Sequence, residues 1–157
     1  MVSFRQQNGF LLRPRLKRLQ DLQTEIFRQL QLLIPDQAAY YDSFQSRIPG
    51  SPVLRMDILE RHPYTHFLRL TYQFESGDET EVAPDAHIRM YNDARLAEVT
   101  AFNPEQGFKR EAHPWYPQHH LFQRSWRQNR TLDKWLGYLL HQGHSLQSMR
   151  PAGERIA

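Results

Sequence analysis

A chain of 157 residues, 39% hydrophobic and 24% charged, has the make-up of one globular domain rather than a disordered or fibrous one. At that length it buries about two thirds of the surface its unfolded chain exposes. It has no cysteine, which excludes disulfides, thiolate catalysis, iron–sulfur clusters and cysteine-based zinc sites together.

No apolar run approaches the ~20 residues of a membrane span. The opening MVSFRQQNGFLLRPRLKR has too short an apolar core for a secretory signal and lacks a small-residue cleavage site. A cytoplasmic protein with no membrane partner is expected. The net charge of +3 hides a pattern. Residues 1–35 carry six Lys/Arg against two Asp/Glu, residues 36–102 six against eleven, and residues 103–157 eight against four. Basic helices lying over an acidic sheet would explain it, and that reading is preferred. The sharper alternative is a basic surface for an anionic partner such as RNA.

Residues 1–14 read as an arm, 15–143 as the globular core and 144–157 as a frayed tail. From Pro14, a residue suited to the first turn of a helix, Leu16, Leu19, Leu22, Ile26, Phe27, Leu30, Leu33 and Ile34 recur at threes and fours up to Pro35. That is a helix with one apolar stripe for the sheet. Asp36 to Pro52 is a connector, with a short helical turn near Gln37 to Phe44 and its aromatics (Tyr40, Tyr41, Phe44) pinned to the core. Strands follow at Val53–Arg61, with Leu54, Met56 and Ile58 inward, and at Phe67–Phe74, with Leu68, Leu70, Tyr72 and Phe74 inward. Glu75 to Asp85 has five acidic residues but not the D-x-[DN]-x-[DN]-G register of a calcium loop, so it reads as a solvated loop.

Ala86 to Phe102, AHIRMYNDARLAEVTAF, is a hairpin. A four-residue loop, Asn92 to Arg95, sets Tyr91 opposite Leu96, Met90 opposite Ala97, Arg89 opposite Glu98 and Ile88 opposite Val99. One face is then apolar and the other carries a cross-strand Arg–Glu pair. Asn103 to His120 is a long loop rich in Pro, His and aromatics, with a short edge strand expected at Phe108 to Ala112. After a helical turn at Leu121 to Gln128, Asn129 caps a final helix whose face is Leu132, Trp135, Leu136, Leu139 and Leu140, stopped by Gly143. The expected fold is α+β: an N-terminal helix, a four-stranded antiparallel β-meander, a long loop and a C-terminal helix, both helices on one face.

RMYNDARLAEV, with the YP-x3-L-x-QR run at Tyr116 to Arg124 and the N-x2-L-x2-WL-x-Y-x-L-x3-G run at Asn129 to Gly143, resembles the YqiB-like family of small bacterial proteins. The similarity extends over about Leu16 to Gly143. It implies a bacterial, cytoplasmic, single-domain protein of unknown function, and brings no activity, cofactor or catalytic residue with it.

The candidate chemistry is thin. Five of eight histidines lie beyond residue 112 (His113, His119, His120, His141, His144), but HExxH is absent and a metal site is disfavoured. Ser125 and Ser145 lack a G-x-S-x-G elbow, and no phosphate-binding glycine loop occurs. No catalytic residue, metal or cofactor is assigned. The set singled out is the polar face of the hairpin: Arg89, Tyr91, Asp93, Arg95 and Glu98, bordered by Arg124. As a recognition patch, its two guanidiniums would hold a carboxylate or phosphate while Tyr91 stacks or donates. As plain structure, Arg89–Glu98 is a surface pair and Asp93 caps the turn. Aromatics among cations (Lys109, Arg110, Trp115 and Tyr116, then Phe122, Arg124, Trp126, Arg127 and Arg130) would suit single-stranded RNA. A non-enzymatic binding or adaptor protein with a protein partner leads. An RNA- or nucleotide-binding module is second, and a small metal-assisted enzyme using the His-rich loop third.

Overall fold

The computed structural model describes residues 4–76, 79–103 and 118–156. Helix α1 spans Phe4–Gln31, so helical backbone begins well before Pro14, which lies inside it. The apolar stripe is spent late: Leu16 is 51% exposed, whereas Ile26, Phe27, Leu30 and the following Leu33 are buried. Pro35 ends the run, and a 3-10 turn, Asp36–Ala39, stands where a helical turn is expected.

Among the described residues six strands follow, not four. They are β1 (Ser43–Ser46), β2 (Val53–Arg61), β3 (Thr65–Ser76), β4 (Glu79–Tyr91), β5 (Leu96–Phe102) and, beyond helix α2 (Gln118–Gln142), β6 (Met149–Pro151). All pairings are antiparallel, in the order β5-β4-β3-β2-β1-β6. The α+β class holds; the strand number is corrected at two places. The connector supplies β1, which pairs with β2 through Phe44↔Met56, and the tail supplies β6, which pairs with β1 through Ser46↔Met149. Further hydrogen bonds fasten the tail: Ala152 N–H donates to the Ser43 carbonyl at 2.9 Å and Ile156 N–H to that of Tyr40 at 2.7 Å. Residues 149–156 are therefore built into the sheet edge rather than frayed.

The acidic stretch is corrected too. The β3–β4 ladder continues to Ser76↔Glu79, so most of Glu75 to Asp85 is strand. Its register slips between Thr71 and Gln73, where Ala83 and Pro84 together face Tyr72. A bulge is one of the few places a strand tolerates proline. Phe74, expected inward, is 42% exposed because the ladder runs on past the buried Tyr72. A second slip, at Ile58/Glu60, pushes Leu59 out into solvent.

Helix α2 starts eleven residues before Asn129, which is thus not an N-cap but a fully buried mid-helix residue. The end expected at Gly143 is correct. Gly143, at φ +106, donates to the Leu140 carbonyl (3.2 Å), and His144 donates to that of Leu139 (3.1 Å). Those two bonds are the Schellman pattern, which needs the left-handed backbone that glycine adopts without strain. The edge strand expected at Phe108 to Ala112 lies outside the described residues.

Both helices cover one face of the sheet. Ile26, Leu30, Leu132, Leu136 and Leu139 share a buried cluster with Leu54, Met56, Leu70, Ile88 and Ala97. The helices run side by side in the same direction: Gln29 lies against Gly137, and Arg15 and Arg18 lie by Phe122 and Trp126. No described element packs on the opposite face of the sheet.

Candidate functional site

The hairpin forms in the register its residues dictate: Tyr91↔Leu96, Met90↔Ala97, Arg89↔Glu98 and Ile88↔Val99. Arg95 closes the four-residue turn at φ +56, the left-handed position that such loops require at their end. Strand alternation then buries Ile88, Met90, Ala97 and Val99 under the helices and turns Arg89, Tyr91 and Glu98 to the open face.

On that face the three side chains form one hydrogen-bonded group. Arg89 Nη1 donates to the Tyr91 hydroxyl at 3.1 Å, and that hydroxyl donates to Glu98 Oε1 at 2.8 Å. Arg89 Nη1 also lies 3.5 Å from Glu98, and the guanidinium carbon sits 4.9 Å from the centre of the Phe67 ring. A cation over an aromatic face is held in place by the ring's quadrupole. Burial, more than any neighbour, raises the pKa of Tyr91, so it stays a neutral hydroxyl able to donate. The Tyr91 hydroxyl, and less strongly Glu98, push Arg89 further up against a smaller opposing effect of burial. The Nε of Arg89 is buried with no acceptor among the described residues. At about one third exposure, this ion pair adds no more than roughly 0.2–1 kcal/mol to the fold. Its significance is positional.

Two further charged rows continue across the face. Arg69 grips Asp85 with both Nε (3.0 Å) and Nη2 (2.9 Å), and His87 lies 3.4 Å from the same carboxylate. Arg55 donates to Asp57 at 3.0 Å, and Ser43 Oγ donates to it at 2.7 Å. The face is thus polar, largely paired and rich in guanidinium.

Not all of the expected set assembles there. Arg95 turns to the helix side: its Nη2 donates to Gln31 Oε1 at 3.3 Å and its guanidinium lies 5.4 Å from the Phe27 ring centre. A clamp built from Arg89 and Arg95 is therefore not formed. Asp93 is exposed at the turn, and it is Asn92 that ties the turn down, through its N–H to the Tyr64 carbonyl (2.8 Å) and its side chain to His66 (3.2 Å). Arg124 lies on α2, in the layer on the other side of the sheet, so it does not border the patch. His113 lies outside the described residues. His119 and His120 are within the backbone of α2, His141 is exposed near its end and His144 is buried. Among the described residues no three His, Asp or Glu come together as metal ligands.

Comparison with known proteins places the chain. A family model matches residues 29–145, which is most of its length. The chain belongs to DUF1249, a family described as proteins of unknown function. No curated protein and no solved structure matches it. The DUF1249 match spans β1 to β5 and the whole of α2, and so includes Arg89, Tyr91 and Glu98. No described helix is long and apolar enough to cross a membrane.

Two buried polar features within the DUF1249 match have no counterpart in the reading of the sequence. Asn129 accepts the Val99 N–H at 3.0 Å and donates to the Ser125 carbonyl at 2.7 Å. Val99 sits where β5 slips its register against β4, and the amide of Val99 is bonded to this side chain. His144, 1% exposed, lies with Nδ1 at 2.7 Å from Ser46 Oγ, which lies 2.6 Å from Ser148 Oγ. Its ring is stacked at a tilt on Tyr72, 5.6 Å between centres, and its Nε2 has no hydrogen-bond partner among the described residues. Burial alone lowers its pKa. Burial also pushes the Tyr72 hydroxyl up to about 12.

A buried neutral histidine makes stability pH-dependent. Above the ordinary value of 6.5 both folded and unfolded chains are neutral there, and nothing changes. Below it the unfolded chain takes up a proton that the folded chain refuses, so stability falls as the pH drops. His66, lowered chiefly by burial, acts in the same direction. Glu25, whose pKa Arg28 lowers, adds to the loss only near its ordinary 4.5. Urea unfolding should therefore show a lower midpoint at pH 5.5 than at 7.5, with a smaller difference in His144→Gln. An equal difference in that variant would acquit His144.

Proposed function

We propose that the chain is a non-enzymatic binding or adaptor protein of the cytoplasm, whose protein partner meets the open sheet face at Arg89, Tyr91 and Glu98. The YqiB-like likeness of the hairpin motif belongs to the same reading, since RMYNDARLAEV runs through these three residues. One observation carries it: Arg89 is held over Phe67 by Tyr91 and Glu98, on a face no described element covers. A pre-placed guanidinium loses little freedom on binding, and the part of the Arg89 side chain left exposed is what a partner would meet. A carboxylate or main-chain carbonyl on a protein segment is the fitting complement.

The test is affinity capture from the native cells, followed by the same capture with variants. Arg89→Ala should lose a discrete partner that Arg95→Ala, altered on the helix side, retains, with both variants showing wild-type circular dichroism. The partner should stay bound in the presence of a chelator. If Arg89→Ala holds the partner as firmly as wild type, or if no discrete partner is captured, the reading is wrong.

A further inference from the structure

The charge pattern along the chain has a structural outcome that differs from a basic layer neutralised by an acidic sheet. Among the described residues the ion pairs lie within the sheet and its turns, as Arg55–Asp57, Arg61–Asp42, Arg69–Asp85 and Arg89–Glu98, or within α1, as Arg28–Glu25. None of these five pairs runs between helix and sheet. Yet α1 carries six Lys/Arg against two Asp/Glu, and α2 four against one. The helix layer is a basic surface, and its cations at Arg15, Lys17, Arg18 and Arg127 are exposed.

In the groove between the N-terminal halves of the two helices is a cavity of about 240 Å3, lined by Arg15, Arg18, Phe122, Gln123 and Trp126. Helical spacing explains the grouping. Arg15 and Arg18 are three apart on α1, and Phe122 and Trp126 four apart on α2, so each pair shares a face. Neither arginine has a carboxylate partner among the described residues, whereas Arg124 is already engaged. Pockets for whole drug-sized ligands run from roughly 300 to 1,000 Å3, so this one is scaled to a single planar ring. Rings on one side, unpaired guanidiniums on the other and a basic surface around them are the components of a single-strand site: the aromatics stack on a base and the cations hold its phosphates.

We propose that the α1–α2 groove binds single-stranded nucleic acid, with one base against Phe122 and Trp126 and the adjoining phosphates on Arg15 and Arg18. This site is separate from the sheet face, and stands or falls without it. Phe122 and Trp126 lie within the family match, whereas Arg15 and Arg18 precede it.

The experiment is fluorescence anisotropy with a labelled oligouridylate of about 12 nucleotides, a length within the range that single-strand sites cover. Measurements run from about 50 to 200 mM salt, with a duplex of equal length as competitor. Binding should weaken steeply with salt, and the single strand should be preferred to the duplex. The double variant Arg15→Gln/Arg18→Gln should lower the salt slope by roughly 1.4. Trp126→Leu and Phe122→Leu should each weaken binding by about fivefold to a hundredfold while changing the slope little. Arg89→Ala should bind as wild type does, since it lies across the sheet. Absence of binding at the lowest salt overturns the proposal, as does binding indifferent to the two arginines. Binding that depends on the arginines but not on either aromatic, or that favours duplex, shows a diffuse basic surface and overturns the site as well. Thermal melting of each variant separates lost binding from lost folding.

Discussion

Phe44→Ala should remove about 3–5 kcal/mol of folding stability, the range for deleting a buried aromatic ring. Small domains hold only about 5–15 kcal/mol in total, so the variant should sit near its unfolding threshold at moderate temperature. Phe44 is fully buried on β1, between Met56 on β2 and Pro151 on β6, with Tyr41 edge-on at 6.3 Å. Removing the ring leaves a cavity beneath three strands at once, and the two outermost are only four and three residues long. Neither can reorganise its pairing to fill the gap. Tyr40→Ala is the control: Tyr40 is half-exposed, touches Arg155 by a cation–ring contact, and should cost well under about 1 kcal/mol. The measurement is urea unfolding of both variants. A loss below about 1 kcal/mol for Phe44→Ala would mean that β1 is a surface connector after all.

Those two strands show why part of the fold was hidden in the sequence. The central hairpin was legible because period-2 alternation and turn chemistry agree within seventeen residues, Ala86 to Phe102. For β1 and β6 there is no such local agreement. Four and three residues are too few to display a period, and Phe44 finds Pro151 more than a hundred positions away. The start of β4 was masked by composition, since ETEV reads as solvated loop until β3 is laid beside it. The early start of α2 was masked because QHHLFQRSWRQ lacks a broad apolar stripe, and Asn129 looked like a boundary when its role is to serve a bulge in β5. One part of the candidate site could have been divided correctly. Arg95 continues the parity of Ala97 and Val99, which are the helix-facing residues of β5, whereas Glu98 alternates with them and Arg89 alternates with the buried Ile88 and Met90 of β4. Parity alone therefore separates Arg95 from the patch. The groove between the helices, by contrast, needed the structure, because only the pairing pattern shows that Arg15 and Arg18 have no acidic partner on the sheet among the described residues.

Asn129→Leu should destabilise the fold by about 1–3 kcal/mol, even though it places a more apolar side chain in a fully buried position. The reason lies in β5. The register shifts between His87 and Ile88, so Thr100 is an extra residue on that strand, and the Val99 amide donates to Asn129 Oδ1. Leucine has no acceptor, and an orphaned buried N–H costs far more than an exposed one. Hydrogen exchange should locate the loss, with the Val99 amide losing protection first among the β5 amides. Thr131→Ala on the exposed side of the same helix, which removes only a bond to the Arg127 carbonyl, should stay within about 0.5 kcal/mol of wild type. The consequence reaches the open face of the sheet. A strand that slips by one residue turns every side chain over, and the bulge that Asn129 holds keeps Glu98 opposite Arg89. Asn129→Leu should therefore weaken partner capture as well as stability, while Thr131→Ala affects neither. Wild-type stability in Asn129→Leu would show that the Val99 amide has another acceptor, and would remove Asn129 from the account of how the patch is held.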